Sequence, residues 1–144
     1  LLFFYGQSSE IGGNGKDFFA VAINNSKLEM TFELGSGLGQ VQSDVLLSDD
    51  RVHDVLIKLA EQEGTITVDG QSSSGRSPGR LRELNANGDI YFGGVPNFSL
   101  MTAGRYLNGY LGCIWDIEIG ISPVLDWITS SKRSRNIEPC QDKP

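Results

Sequence analysis

The chain has 144 residues, with 12 Lys+Arg against 18 Asp+Glu and a formal charge of −6, enough for one domain with a core of its own. That balance argues against general nucleic-acid binding, which needs a cationic face to displace counterions, but it leaves room for a local basic patch. No apolar run approaches the roughly 18 residues of a membrane span, so direct membrane insertion is not expected.

The pattern has a period of two almost throughout. LLFFYG (1–6) reads as an opening strand, with no initiator methionine and no signal-peptide pattern before it. Phe18–Ile23 reads as a second strand, and Asn24-Asn25 as a hairpin turn into a third. In that third strand Leu28, Met30, Phe32 and Leu34 alternate with Lys27, Glu29, Thr31 and Glu33, the signature of a strand with one face wet. Gly35-Ser36-Gly37 turns the chain into Leu38–Leu47, and Asp49-Asp50 turns it into Val52–Leu59. A turn at Glu61–Gly64 leads to Thr65–Asp69. Gln71–Arg80, QSSSGRSPGR, reads as a polar loop. Ile90–Phe92 and Tyr110–Ile119 complete the strands, and Val124–Ser130 carries a short helical turn. Short strands at regular spacing with turn signals between them predict an all-β antiparallel sandwich.

Several residues carry potential chemistry. The two cysteines, Cys113 and Cys140, allow one bridge or two free thiols, and their number alone does not decide between them. Arg76, Arg80 and Arg82 cluster around the polar loop, with Lys132, Arg133 and Arg135 near the C-terminus. They are either solvated loop charges or a site for acidic glycans, where guanidinium matches sulfate or carboxylate bidentately. Asn24-Asn25-Ser26 and Asn97-Phe98-Ser99 fit the N-glycosylation acceptor pattern, Asn97 being the better placed. Asp116 and Glu118, two apart on an expected strand, point the same way, as the carboxylate pair of a glycoside hydrolase would. Trp115, however, stands where that motif wants a third acid. His53 is the single histidine. With no G-x-S-x-G motif it cannot build a triad, and it is read as a packing or hydrogen-bonding residue.

A run of motifs in order gives the chain a family likeness. LLFFYG, DFFAVAI (17–23), SKLEMTFELGSG (26–37), DRVHDV (50–55), VDG (68–70), YFGGVP (91–96) and LGCIWDIEI (111–119) together resemble a laminin G-like (LNS) domain. Val52 departs from the pattern, standing where the family usually has Trp. The resemblance implies a concanavalin-like jelly roll from a modular extracellular protein of the perlecan, agrin, laminin α, neurexin or large-cadherin type. It implies a non-enzymatic adhesion module that binds a cell-surface protein or a glycan such as heparan sulfate at the loop rim. It also implies a disulfide between Cys113 and Cys140 and an ordinary structural place for Asp116. The family's first strand is absent here, so the chain reads as a single domain (1–144) excised from a larger protein, or one whose sheet another segment completes. Such an open edge would offer pairing to a second copy.

The resemblance further implies Ca2+ at one rim, held by the Asp17 side chain, the Leu34 and Glu83 carbonyls and the Asn85 side chain, with Asn87 and Asp89 as neighbouring candidates. Calcium takes six to eight hard oxygen ligands, so four protein oxygens leave positions for water or a partner's oxygen. One carboxylate and one amide give little charge, and the expected affinity is that of a weak extracellular site.

Overall fold

The computed structural model describes residues 1–7 and 17–141. They fall into two units, Leu1–Tyr110 and Leu111–Pro144. In the first, the strands are β1 Phe3–Gly6, β2 Phe18–Asn24, β3 Lys27–Glu33, β4 Leu38–Leu46, β5 Val55–Ala60, β6 Glu63–Val68, β7 Gln71–Arg76 and β8 Ile90–Phe92, followed by a helical turn α1, Phe98–Met101. Five strands form one sheet in the order β4-β3-β2-β1-β8, and three form another in the order β5-β6-β7. All pairings are antiparallel.

Alternation decides which residues meet between the sheets. Val21, Leu28, Met30, Phe32, Leu34 and Val41 from the larger sheet close on Ile66 and Val68 from the smaller. Turn chemistry sets the register. Asn25 and Ser26 (φ 50° and 65°) and Asp69 and Gly70 (φ 49° and 82°) both supply the paired positive φ that two-residue hairpins require. Each turn therefore leads straight from one strand into the next.

The second hairpin corrects one expectation. Gln71–Arg76 is a strand, paired along its length with β6 from Val68↔Gln71 to Glu63↔Arg76, and only residues beyond Arg76 are loop. Its small residues serve close packing, because a Cβ at Gly75 would lie inside 3.0 Å of the Gln40 carbonyl oxygen on β4. The start of β5 is also later than expected, at Val55 in place of Val52.

A third correction concerns β3, whose polar face is not wet. Glu29 and Thr31 are buried (5% and 2% exposed) because residues 95–106 cover that side of the sheet. Val95, Phe98, Met101 and Tyr106 pack there with Phe4 and Ala20. Both buried polar groups are satisfied: Glu29 Oε2 accepts from Asn24, Gln40 and Gln42 side-chain amides at 3.1, 2.9 and 2.7 Å, and Thr31 shares a hydrogen bond with the Tyr106 hydroxyl.

In the second unit the expected strand Tyr110–Ile119 is absent, and the segment is irregular. Asp116 has φ 53°, which turns the chain and breaks the extended run. The expected helical turn is present as α2, Trp127–Ser130, capped by the Asp126 side chain accepting from the Ile128 N–H. Cys113 and Cys140 form a disulfide, Cα–Cα 5.8 Å.

Candidate functional site

One end of the sandwich gathers the start of β2, the β3–β4 turn, the β5–β6 turn and the loop after β7. The β3–β4 turn is fixed from both sides. Leu34 anchors it in the core, and Glu33 Oε1 accepts from the N–H groups of Gly35 and Gly37, both at 2.8 Å. Gly35 and Gly37 have φ of 101° and 126°, a conformation other residues rarely adopt. The loop after β7 lies against this turn: a Cβ at Gly37 would meet Pro78 Cγ at 2.6 Å, and one at Gly35 would meet Leu81 Cδ1 at 2.7 Å.

Asp17 sits where these pieces converge. Its carboxylate is buried, 5% exposed, and Oδ2 accepts from the Asn85 N–H at 2.7 Å. Oδ1 lies 3.7 Å from where a Cβ on Gly35 would be, so the turn that follows Leu34 borders the carboxylate. Leu84 packs on the core and holds exposed Glu83 and Asn85 on either side of it. Gln7 Nε2 donates to the Asn85 carbonyl at 3.0 Å. The structure thus brings together Asp17, the Leu34 turn and Asn85, and places Glu83 two residues away on the same loop. Asn87 and Asp89 follow on that loop with interactions of their own. The expected ligands would offer oxygen atoms only, with a single buried carboxylate, the donor chemistry that a hard cation such as calcium takes. Among the described residues no group of three or more His, Cys, Asp or Glu side chains is placed to hold a metal ion, so a cation here would depend on backbone carbonyls and an amide for most of its protein ligands.

The loop arginines border the same end. Arg76 donates from Nη2 to Gln62 Oε1 at 3.1 Å, and Arg82 lies 3.6 Å from Glu61, both exposed. Arg80 is exposed. Lys132, Arg133 and Arg135 belong to the second unit and are exposed there. The carboxylate pair Asp116 and Glu118 loses its geometric basis, since the strand that would have pointed both the same way is not formed.

The opposite end holds a cluster that sequence reading missed. His53 Nδ1 lies 2.7 Å from Asp69 Oδ2 and Nε2 lies 2.8 Å from Asp49 Oδ1, with the imidazole side chain only 11% exposed. The hydrogen bonds to Asp69 and Asp49 raise the His53 pKa above its ordinary value against the opposing effect of burial. The same bonds lower both carboxyl pKa values. With both nitrogens facing carboxylates, the imidazolium is the form that donates to both. The available signal was an aspartate four residues before the histidine together with the Asp-Gly turn. The two sequons differ: Asn24 spends its amide N–H on buried Glu29, whereas Asn97 uses Oδ1 to cap α1 at Leu100 N–H, 2.9 Å.

The laminin G domain family profile matches residues 1–121. The chain belongs to the laminin G domain family. This laminin G domain is 34% identical over 129 residues to the basement membrane proteoglycan of Caenorhabditis elegans, covering 88% of this chain and 4% of that protein. It is 32% identical over 128 residues to pikachurin of Rattus norvegicus, covering 88% and 13%. Against the protein eyes shut homolog of Danio rerio the identity is 35% over 121 residues, covering 81% and 4%. Among solved structures, the LG1-3 region of the laminin alpha2 chain superposes with a TM-score of 0.66 at 21% identity, over 78% of this chain and 23% of that one. Domains LG4-5 of the mouse laminin alpha1 chain give 0.58 at 26%, over 79% and 28%. The sandwich is therefore the laminin LG fold. The chain spans only 4 to 13% of the length of these three relatives. No helix among the described residues is long and apolar enough to cross a membrane.

Proposed function

We propose that this laminin G domain is an extracellular recognition module, not an enzyme, that binds a cell-surface protein or acidic glycan at the Asp17 rim with calcium assisting. The observation that carries the reading is the buried Asp17 carboxylate, held by the Asn85 N–H and bordered by the Gly35 turn. Asp17, the Leu34 and Glu83 carbonyls and the Asn85 side chain would hold the ion, which when bound supplies positive charge and open coordination positions to an acidic ligand. Charge favours this arrangement. Among the described residues, Asp17, Glu33, Glu61, Glu63 and Glu83 lie on the elements that carry Arg76, Arg80 and Arg82 or border them, and Arg82 sits 3.6 Å from Glu61, so a bound cation would offset acidic charge that weakens attraction for an anionic ligand. The extracellular setting rests on the disulfide, at home in an oxidising compartment, and on the basement-membrane proteoglycan among the relatives. Asn97 is the sequon whose amide nitrogen is left for a sugar while its oxygen caps α1.

Titration calorimetry with calcium on the intact domain and on Asp17→Ala tests the ion, and heparin retention with calcium or with EDTA tests its role. Weak binding lost in the variant, together with calcium-dependent retention, is the expected result. No heat with the intact domain retires the ion, and retention unaffected by EDTA retires its part in ligand binding.

A further inference from the structure

The arginine side of this rim rests on one buried side chain. Gln62, in the β5–β6 turn, is 3% exposed. The two N–H groups of its Nε2 are shared among three successive carbonyls, Ser77 at 3.2 Å, Pro78 at 3.3 Å and Gly79 at 2.9 Å. Its Oε1 accepts from the Arg76 guanidinium at 3.1 Å, and its backbone carbonyl accepts from the Ser77 N–H at 2.9 Å. Pro78 supplies no backbone N–H, so this segment has one donor fewer of its own, and the Gln62 amide donates to its carbonyls.

We propose that Gln62 is the positioning residue of the basic loop: it fixes the turn after β7 and the orientation of the Arg76 guanidinium, and so sets affinity for acidic glycans that it never touches. This deepens the glycan part of the reading above and rests on it. The chemistry is specific to an amide. It must donate on one side to carbonyls and accept on the other from a cation, and an ionised carboxylate in its place can do only the second. Such a carboxylate would set an anion against three carbonyl oxygens and draw Arg76 inward as its counter-ion, away from a ligand. Preorganised guanidinium contacts to sulfate are strong because the geometry is fixed before binding.

The test compares the intact domain with Gln62→Glu and Gln62→Met, using heparin as the probe at fixed calcium over a range of pH, together with amide hydrogen exchange. Gln62→Glu is expected to bind heparin about tenfold more weakly than the intact domain at pH near 7.5, the loss of a charge-assisted contact. Relative to the intact domain at each pH, binding recovers as the pH falls and the introduced carboxylate takes up its proton. Gln62→Met should lose affinity without that recovery. The Leu81 N–H, which donates to Ser36 Oγ across the loop, should exchange about tenfold faster in both variants, while amides of β3 keep their protection. Unchanged binding at every pH with unchanged exchange overturns the proposal. Loss of protection throughout the sheets, with no pH recovery, also overturns it and leaves Gln62 a general stabiliser. If the intact domain ignores heparin but Leu81 exchange rises in the variants alone, the glycan reading fails and the loop-fixing role stands.

Discussion

The contact that closes the sandwich on one side is predicted to tolerate no added methyl. Gly75 on β7 faces β4, where a Cβ would fall inside 3.0 Å of the Gln40 carbonyl oxygen and 3.2 Å from both the Gln40 carbonyl carbon and Val41 Cβ. The obstacles are mostly backbone of a strand paired along its length with β3, so relief requires the sheets to separate. Gly64, its cross-strand neighbour on β6, provides an internal control. A Cβ there would meet Phe32 Cε1 at 2.6 Å and Met30 Cε at 2.8 Å, side-chain ends that can rotate or bend aside. Overpacking costs roughly 1–3 kcal/mol, and Gly→Ala returns about 0.4–1 kcal/mol through the unfolded chain where the backbone conformation allows it. With the upper end of the overpacking cost at Gly75, where backbone blocks the added methyl, and the lower half at Gly64, Gly75→Ala should lose about 2 kcal/mol net and Gly64→Ala under about 1 kcal/mol. At roughly 4 °C per kcal/mol for a domain of this size, thermal melts followed by circular dichroism in EDTA should fall by about 8 °C and by under about 4 °C. Because Arg76 follows Gly75 on β7, heparin retention should weaken in Gly75→Ala and hold in Gly64→Ala. If Gly75→Ala melts within about 2 °C of the intact domain, or Gly64→Ala is the worse variant, the backbone approach of β4 and β7 is not what closes this side.

The His53 cluster predicts a pH dependence with a definite sign. The folded imidazole pKa lies above its ordinary 6.5, so its stabilising contribution is complete below that value and is lost as pH rises through the folded pKa. The folded carboxyl pKa values of Asp49 and Asp69 lie below the ordinary 3.8, so their contribution is lost as pH falls through those lowered values. Denaturant midpoints of the intact domain and His53→Gln should differ most between these two limits and converge above the raised histidine pKa; a difference that grows with pH would refute the assignment. For the disulfide, trypsin cleavage at Lys132, Arg133 or Arg135, inside the loop closed by Cys113 and Cys140, should give fragments that stay joined on a non-reducing gel and separate after reduction. Separation without reduction would refute the bridge, whose 27-residue spacing corresponds to about 3.5 kcal/mol of unfolded-state constraint.

How far the sequence could be read depended on whether one strand's pattern contained the information. Leu28, Met30, Phe32 and Leu34 announce an inward face by their own alternation, and all four are buried in the core. Glu29 and Thr31 defeat the same rule because burial of the outer face comes from residues 95–106, some seventy positions away, and a polar residue with three amide donors reads locally like one in water. QSSSGR was misread for a related reason. Its lack of large side chains suits the close approach of Gly75 to Gln40, and composition cannot distinguish a strand that needs to be thin from a loop. The Asp69-Gly70 hairpin signal pointed the other way. At the Asp17 rim, motif order named Asp17, Leu34, Glu83 and Asn85 as candidates, and the structure joins Asp17 to Asn85 through an N–H to Oδ2 contact. The control exerted by Gln62 was out of reach, because a lone glutamine carries no pattern until three carbonyls are seen around it. The legible parts of this rim are the groups that would meet a ligand, and the illegible part is the support that decides where they point. A variant scan limited to Asp17 and the arginines would therefore miss the residue that orients them.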